Sequence, residues 1–180
     1  SFLGNEFYFI RLNHKTPIPL KVNYDTPQSL GTDRIAAAVA AYKMYPGNNI
    51  LVIESGTCIT YDFITAEGIY QGGGISPGMH LRFKALHNFT ANLPLVEAVK
   101  NAALIGKSTE KSIHSGVING IIAEINGIIS MYESNYENLT IILSGGNLES
   151  FDKNLKNNIF AVPNIVLTGL NIILEFNDKN

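Results

Sequence analysis

The stretch from Asn49 to Asp62 reads NILVIESGTCITYD and contains the clearest structural signal in the chain. Its first part, 50–53, is a short apolar run rich in β-branched residues, which is typical of a buried strand. Residues 54–57 interrupt that run, and an alternating pattern resumes over 58–64. The stretch therefore predicts a β-hairpin whose tight turn carries a carboxylate, a glycine and two hydroxyls.

The predicted turn contains the groups that a phosphate site needs. Its backbone N–H groups and the hydroxyl of Thr57 can bind a phosphate, and the carboxylate of Glu54 can bind a cation. An ordinary hairpin turn is the alternative, and the dipeptide Gly56-Thr57 by itself favours that alternative. The motifs on both sides of the turn therefore decide between the two interpretations.

The composition limits the class of protein. A chain of 180 residues, 46% hydrophobic and 16% charged, can bury one sizeable core or one domain and part of another. The net charge of −2 does not indicate nucleic acid or an anionic membrane as a partner, and no apolar run has the length of a membrane span. The single cysteine, Cys58, fits a reducing cytoplasm, and the spacing of the histidines does not indicate zinc. We expect a cytoplasmic globular protein.

The remaining patterns predict an α/β protein. From Asn49 onward the predicted order is strand, strand, strand, helix, helix, strand, helix, strand, helix. Outside the hairpin, the patterns predict helices over 2–12, 35–42, 79–89, 109–132 and 169–176, and strands over 20–24, 69–75, 139–143 and near Ile165.

Two groups of glycines carry structural predictions. The run 72–74 lies within a predicted strand, where consecutive glycines indicate a β-bulge or a close backbone approach. Gly116, Gly120 and Gly127 lie on the predicted long helix, which they weaken. Close packing against another helix or another subunit is the predicted reason for them.

Arg34 stands in the first turn of the predicted helix 35–42. Thr32 or Asp33 lies where an N-cap belongs, so capping is a sufficient explanation for either residue. Capping does not explain Arg34, because a cation in the first turn opposes the helix dipole. An anionic ligand is the favoured explanation, and a salt bridge to a neighbouring element is the alternative.

The segment Ser144-Gly145-Gly146-Asn147 follows a predicted strand and leads into a predicted helix. A strand, a glycine turn and a helix N-terminus together form a suitable place for a nucleotide. The same arrangement is also the ordinary way to connect a strand to a helix.

A series of motifs resembles the type III pantothenate kinases in order and spacing. The motifs are GTDR at 31–34, ESGT at 54–57, GGGISPG at 72–78, LP at 93–94, GKST at 106–109, SGG at 144–146 and LTGLN at 167–171. Each motif is common, but the set is specific and covers essentially the whole chain. That family, also called the Bvg accessory factor family, belongs to the acetate and sugar kinase, Hsp70 and actin superfamily.

The resemblance implies an α/β fold of the ribonuclease-H-like, actin-like ATPase type, with two such domains and an active site between them. Residues 49–180 would be the complete second domain. Residues 1–48 would be the C-terminal remnant of the first domain plus an interdomain helix. The first domain would therefore be largely missing.

The resemblance also implies a pantothenate site. Asp33 would be the catalytic base that accepts the proton of the pantothenate hydroxyl, and Arg34 would pair with the substrate carboxylate. The other implied substrate-binding residues are Tyr24, Gly31, Thr32 and Thr109. Since this family builds the site near its dimer interface, a homodimer is expected.

The same resemblance implies ATP, carried with Mg²⁺, as the second substrate. The implied nucleotide-binding residues are Gly56, Thr57, Gly145 and Gly146, with Thr57 at the phosphates. The family has an aspartate at position 54, where it helps to hold a monovalent cation, potassium or ammonium. Glu54 would be that metal ligand here, although its extra methylene shifts the carboxylate and can alter cation binding.

One family feature is not found in the sequence. The family begins with a strand that ends in an Asp-x-Gly-Asn-Thr phosphate loop, and this motif does not occur here. Either the chain is a fragment of a longer protein or its lineage has lost the loop. We expect that this chain alone does not turn over ATP.

The function predicted from these features is ATP-dependent phosphorylation of pantothenate to 4′-phosphopantothenate, the first step of coenzyme A biosynthesis. A non-catalytic or regulatory relative is the first alternative, because the phosphate-loop motif is missing and Glu54 replaces the family's aspartate. Another small-molecule kinase of the superfamily is the second. Arg34 beside Asp33 favours a substrate with a carboxylate over a neutral sugar.

Overall fold

The predicted hairpin lies at the centre of a mixed sheet. The structure, a computed structural model, describes residues 9–146 and 159–178. Within these residues the strands are β1 (Lys21–Val22), β2 (Asn49–Ser55), β3 (Cys58–Ile64), β4 (Ile69–Pro77), β5 (Leu139–Ser144) and β6 (Ile159–Ala161). They form a six-stranded sheet in the order β1-β4-β3-β2-β5-β6.

The strand directions identify the fold. β2, β3 and β4 form an antiparallel meander, and β5 and β6 then add in parallel beside β2. A three-stranded meander extended by parallel strands at its first strand is the ribonuclease-H-like arrangement, so the predicted fold class is confirmed. The short β1 adds in parallel to the outer edge of β4. β1 thus lies in the same sheet as β2 to β6, and the domain boundary after residue 48 stays a prediction.

Helices cover both faces of the sheet. They are α1 (Thr32–Met44), α2 (Met79–Asn88), α3 (Thr109–His114), α4 (Gly120–Asn135) and α5 (Ile165–Asp178), with a short 3₁₀ turn at Pro27–Ser29. α1 and α5 pack on one face, here called the α1 face, against Ile50, Val52 and Ile142. α2, α3 and α4 pack on the opposite face, the α4 face, against Leu51, Ile53 and Ile141. The alternation of side chains along β2 therefore supplies both cores.

The alanines of α1 allow a second helix to approach closely. Residues 36–41 are all buried, and α5 crosses α1 at Gly169. A Cβ atom at Gly169 would overlap the carbonyl oxygen of Ala36. The small alanines of α1 therefore favour both the helix and its close packing in the core.

The glycine run 72–74 forms the predicted irregularity. The pairing of β3 with β4 shifts register between Phe63 and Ile64, which confirms a bulge. Gly72 has a φ of 87°, a backbone conformation that residues other than glycine rarely adopt. The ring of Tyr24 also lies so close that a Cβ atom at Gly72 would come within 3.0 Å of it.

The predicted long helix is present but contains a change of winding. α3 passes into a π-helical segment at Ser115–Asn119 before α4 continues to Asn135. The hydroxyl of Ser115 donates to the carbonyl of Leu104 at 2.6 Å, which ties this segment to the preceding loop. Cβ atoms at Gly116, Gly120 and Gly127 would meet nothing within 4 Å. Packing of these glycines on another helix of the described chain is therefore wrong, and a second subunit stays a prediction.

Two other element predictions are wrong. Residues 9–12 are not helical, because the apolar Leu12 packs sideways against the core of the α1 face. The strand expected near Ile165 is instead the first turn of α5, and β6 lies earlier. The first residues of the predicted helix 2–12, and the helix start at Asn147, lie outside the described residues. No described helix is long and apolar enough to cross a membrane.

Candidate functional site

A cavity opens where β2 and β5 end on the α1 face. It has a volume of about 270 Å³. Its lining consists of Glu54, the turn Ser144–Gly146 and residues 163–167 at the start of α5. Glu54 and Ser144 are register partners in the sheet, so both side chains point to this face. The close approach of Gly145 to the carbonyl of Ser55, at a φ of 103°, allows the β5 turn to lie beside the end of β2.

Three carboxylates converge at this edge. Burial raises the pKa of Glu54, and the negative charges of Asp33 and Asp62 raise it further. Like charges held this close favour a bound proton or a bound cation. No group of three or more His, Cys, Asp or Glu side chains in the described part of the chain is placed to hold a metal ion. A cation beside Glu54 would therefore need hydroxyl, backbone or ligand oxygens as its other ligands.

Asp33 lies in the first turn of α1, and its charge acts on Glu54. Its side chain is exposed, and its Oδ1 accepts the backbone N–H of Arg34 at 2.9 Å. A Cβ atom at Gly31 would overlap that same oxygen, so only glycine leaves room for this rotamer. Gly31 is the N-cap residue, and neither Thr32 nor Asp33 caps the helix as the sequence had indicated. Capping thus does not account for Asp33.

Arg34 is buried beneath Asp33 and paired with β3. Its Nε donates to Oδ1 of Asp62 at 2.9 Å, and its Nη2 lies 2.7 Å from the same oxygen. Because both nitrogens approach one oxygen, Nη2 makes no well-directed hydrogen bond. Burial opposes the charge of Arg34, but Asp62 outweighs it and raises the pKa of the guanidinium. The salt bridge that the sequence left as the alternative is therefore present.

Asp62 receives a third donor. The hydroxyl of Tyr70 donates to its Oδ1 at 2.6 Å. Burial raises the pKa of Asp62, against the hydrogen bonds from Arg34 and Tyr70 that favour the charged form. The ring of Tyr24 lies 6.2 Å from that of Tyr70, between centroids, and covers this network from the β1 side.

The family profile described as type III pantothenate kinase matches residues 3–131. The chain is 52% identical over 175 residues to the type III pantothenate kinase of Christiangramia forsetii, covering 97% of this chain and 72% of that protein. It is 52% identical over 173 residues to the enzyme of the same name from Phocaeicola vulgatus, covering 96% and 72%.

The chain belongs to the type III pantothenate kinase family. A solved structure supports the fold: a protein from Campylobacter jejuni described as a Baf family transcriptional activator superposes with a TM-score of 0.63. It is 20% identical, and the superposition covers 94% of this chain and 74% of that one. At that identity the likeness concerns the fold alone.

Most residues that the family resemblance implies lie at one edge of the sheet. Tyr24, Asp33 and Arg34 surround the Asp62 network, and Glu54 connects it to the cavity lined by Gly145 and Gly146. The turn residues Gly56 and Thr57 are exposed at the same end of β2, and the carbonyl of Thr57 accepts the N–H of Gly78 at 2.9 Å.

Thr109 stands apart from this group. It is exposed at the start of α3, and α3 packs on the α4 face. The continuous helix 109–135 is about 40 Å long, whereas β2 spans only about 23 Å. The helix therefore extends beyond the strand, and Thr109 lies on the face of the sheet opposite Asp33 and Arg34.

Sequence reasoning missed Asp62 and Tyr70. One signal could have found Asp62, since an aspartate in the middle of an otherwise apolar strand is rarely buried without a partner. Nothing in the sequence marks Tyr70, because a tyrosine is an ordinary strand residue.

Proposed function

We propose that the protein that carries this sequence phosphorylates pantothenate to 4′-phosphopantothenate with ATP, the first step of coenzyme A biosynthesis, in the cytoplasm. Membership of the type III pantothenate kinase family supports the reaction. The main structural support for this proposal lies at the start of α1. There an exposed carboxylate, Asp33, is directly beside a buried guanidinium, Arg34. Such a pair can accept a hydroxyl proton and hold a carboxylate in the same substrate.

Asp33 acts as the base and Arg34 as the anchor in this proposal. The pantothenate hydroxyl attacks the terminal phosphorus of ATP, its proton passes to a carboxylate oxygen of Asp33, and the bond from phosphorus to the bridging oxygen breaks to release ADP. Phosphoryl transfer has a loose transition state, so positioning and neutralisation of charge supply most of the catalysis. Arg34 supplies positioning, because its Nη2 has an N–H donor to spare. Gly31, Thr32 and Tyr24 complete the pocket around the substrate.

The nucleotide occupies the cavity between the β5 turn and α5 in this proposal. Gly145 and Gly146 let the backbone approach it, and Gly56 and Thr57 face its phosphates from the neighbouring turn. Mg²⁺ bound to ATP would neutralise phosphate charge. Potassium or ammonium would be held at Glu54, where the negative charges of Asp33 and Asp62 favour a cation. Such an ion would relieve the repulsion from Asp33 and Asp62.

A homodimer completes the proposed site. Thr109 and Asp33 lie on opposite faces of the sheet, so in this proposal a second copy supplies Thr109. The open stripe of Gly116, Gly120 and Gly127 on the helix 109–135 offers a surface to which another helix could approach closely.

The test is pantothenate-dependent formation of ADP by the protein that carries this sequence. Asp33→Asn keeps the shape of the side chain but cannot accept a proton, so we expect kcat to fall by about 10²–10⁴-fold with little change in KM. Asp178→Asn, the same change at an exposed position at the end of α5, is the matched control. A near-wild-type kcat in Asp33→Asn would remove the assignment of the base.

A further inference from the structure

We infer that Asp62 and Tyr70 are positioning residues for the substrate carboxylate, which they serve by fixing the guanidinium of Arg34. The inference rests on the proposed function, because it takes Arg34 as the group that binds pantothenate. Neither residue would touch the substrate. Their effect would pass through the orientation of Arg34.

One oxygen atom organises the whole network. Oδ1 of Asp62 accepts Nε of Arg34 at 2.9 Å and the hydroxyl of Tyr70 at 2.6 Å, and Nη2 of Arg34 lies 2.7 Å away. Two guanidinium nitrogens on one oxygen fix both the position and the plane of the group. Only the Nε–H among the side-chain donors of Arg34 is well directed toward Asp62, so the Nη edge retains donors for another acceptor.

Stability alone does not explain this arrangement. Arg34 and Asp62 are 6% and 1% exposed, and a buried ion pair is on average no more stabilising than apolar residues of the same size. A guanidinium that is already immobilised, however, loses less conformational entropy when it binds a carboxylate. The pair therefore makes physical sense as preorganisation of a binding group.

The surroundings place the network next to the proposed pantothenate pocket. Tyr24, proposed to pack on the substrate, contacts the ring of Tyr70 and interacts with the side chain of Arg34. Gly72 leaves the space that the Tyr24 ring occupies. Displacing Asp62 or Tyr70 would therefore disturb Arg34 before it disturbed Asp33, whose hydrogen bond is to the backbone.

The experiment compares pantothenate with pantothenol, in which an alcohol replaces the carboxylate. We expect Asp62→Asn to raise the KM for pantothenate roughly 10- to 100-fold and Tyr70→Phe roughly 3- to 10-fold. The kcat, the KM for ATP and the KM for pantothenol should stay near wild type in both variants. Tyr70→Phe removes only a hydroxyl, so it tests the inference even if Asp62→Asn does not fold.

Matched controls lie on the opposite face of the sheet, Tyr61 on β3 and Glu124 on α4. Tyr61→Phe and Glu124→Gln make the same two chemical changes in a network that does not contact Arg34. They should leave the ratio of pantothenate to pantothenol KM unchanged. Equal changes for both substrates, or a lower melting temperature with an unchanged ratio, would show that Asp62 and Tyr70 are only structural and would overturn the inference.

A further variant separates this inference from the proposed function. Arg34→Lys keeps the charge but loses the planar fork. If Arg34→Lys raises the pantothenate KM and the Asp62 and Tyr70 variants do not, the inference is wrong and the proposed function stands. If the full-length wild-type protein that carries this sequence forms no ADP with pantothenate, the proposed function fails and the inference fails with it.

Discussion

Tyr61 and Asp62 are neighbours on β3 and take part in two networks of similar composition on opposite faces of the sheet. On the α1 face, Asp62 binds Arg34 and Tyr70. On the α4 face, Tyr61 and Arg82 both bind Glu124. Each network thus joins one arginine, one carboxylate and one tyrosine.

The two networks differ in their access to solvent. Asp62 is buried and Arg34 nearly so, whereas the side chains of Arg82 and Glu124 are 21% and 27% exposed. Burial raises the pKa of Asp62 despite its partners. For Glu124 the burial effect is outweighed by hydrogen bonds from Ser76, Arg82 and Tyr61, and its pKa is lowered. The pKa values of the two carboxyls therefore shift in opposite directions, because desolvation outweighs the hydrogen bonds at the deeply buried Asp62 and does not at the partly exposed Glu124.

Each network also serves a different end. Arg82 donates through Nε to the carbonyl of Pro77 at 2.7 Å, and the next residue, Gly78, holds the Thr57 turn. The α4-face network thus connects α2 and α4 to the end of β4, and its role is structural. The α1-face network holds the one arginine that the proposed function requires.

The largest difference is expected when each carboxylate is removed. Asp62→Ala leaves Arg34 buried without a counter-charge, so we expect the free energy of unfolding to fall by about 3–5 kcal/mol. Glu124→Ala leaves Arg82 in contact with water and should cost only about 1 kcal/mol. Urea denaturation of both variants measures the two values. Equal losses would contradict the role assigned to solvent access.

Packing of the two faces gives the next contrast. Gly169→Ala places a methyl group against the backbone of Ala36, so we expect a loss of about 1–3 kcal/mol in the free energy of unfolding. Gly127→Ala meets open space and should gain about 0.5–1 kcal/mol through helix propensity.

The same pair of variants bears on the proposed dimer. If the stripe on the helix 109–135 is a subunit interface, Gly127→Ala should weaken association, which light scattering at micromolar concentration would detect. Gly169→Ala lies on the other face and should leave the association of the folded protein unchanged. A wild-type protein that is only monomeric would count against the dimer.

The smallest effect concerns pH. The pKa of Glu54 is raised above its ordinary 4.5, so folded Glu54 holds a proton more tightly than the unfolded chain does. Its contribution to stability is fully present below pH 4.5 and is lost as the pH rises through the folded pKa. The pKa of Glu124 is lowered, so its contribution is present above 4.5 and is lost as the pH falls through the folded value.

These signs predict opposite slopes for two matched variants. Glu54→Gln should raise stability at neutral pH, with the gain fading in acid, and Glu124→Gln should lower stability at neutral pH, with the loss fading in acid. Urea midpoints measured from about pH 4 to pH 8 compare them. Slopes of the same sign would show that the two carboxyls share one environment.

The sequence predicted those parts of the fold in which local pattern and tertiary environment agree. The apolar run 50–53 predicted β2, and the alternating pattern over 58–64 predicted β3 beside it. The alanines of α1 and the long helix from Thr109 were also predicted, because both have strong helical patterns. At 9–12 and near Ile165 the patterns failed, because the apolar residues there are explained by packing on the α1 face and not by their own periodicity.

The sequence alone predicted several chemical groups of the candidate site, through the motifs at 31–34, 54–57 and 144–146, but not Asp62 or Tyr70. It could not determine which of them are paired. Asp62 follows Arg34 by 28 residues, and only the folded sheet brings the two side chains within 2.9 Å. Local propensity acts over a few residues along the chain, whereas burial of a charge is decided by elements that meet across the sheet. The partner of Arg34 was therefore decided by the tertiary structure, because desolvation depends on what surrounds a group in space and not on what precedes it in sequence.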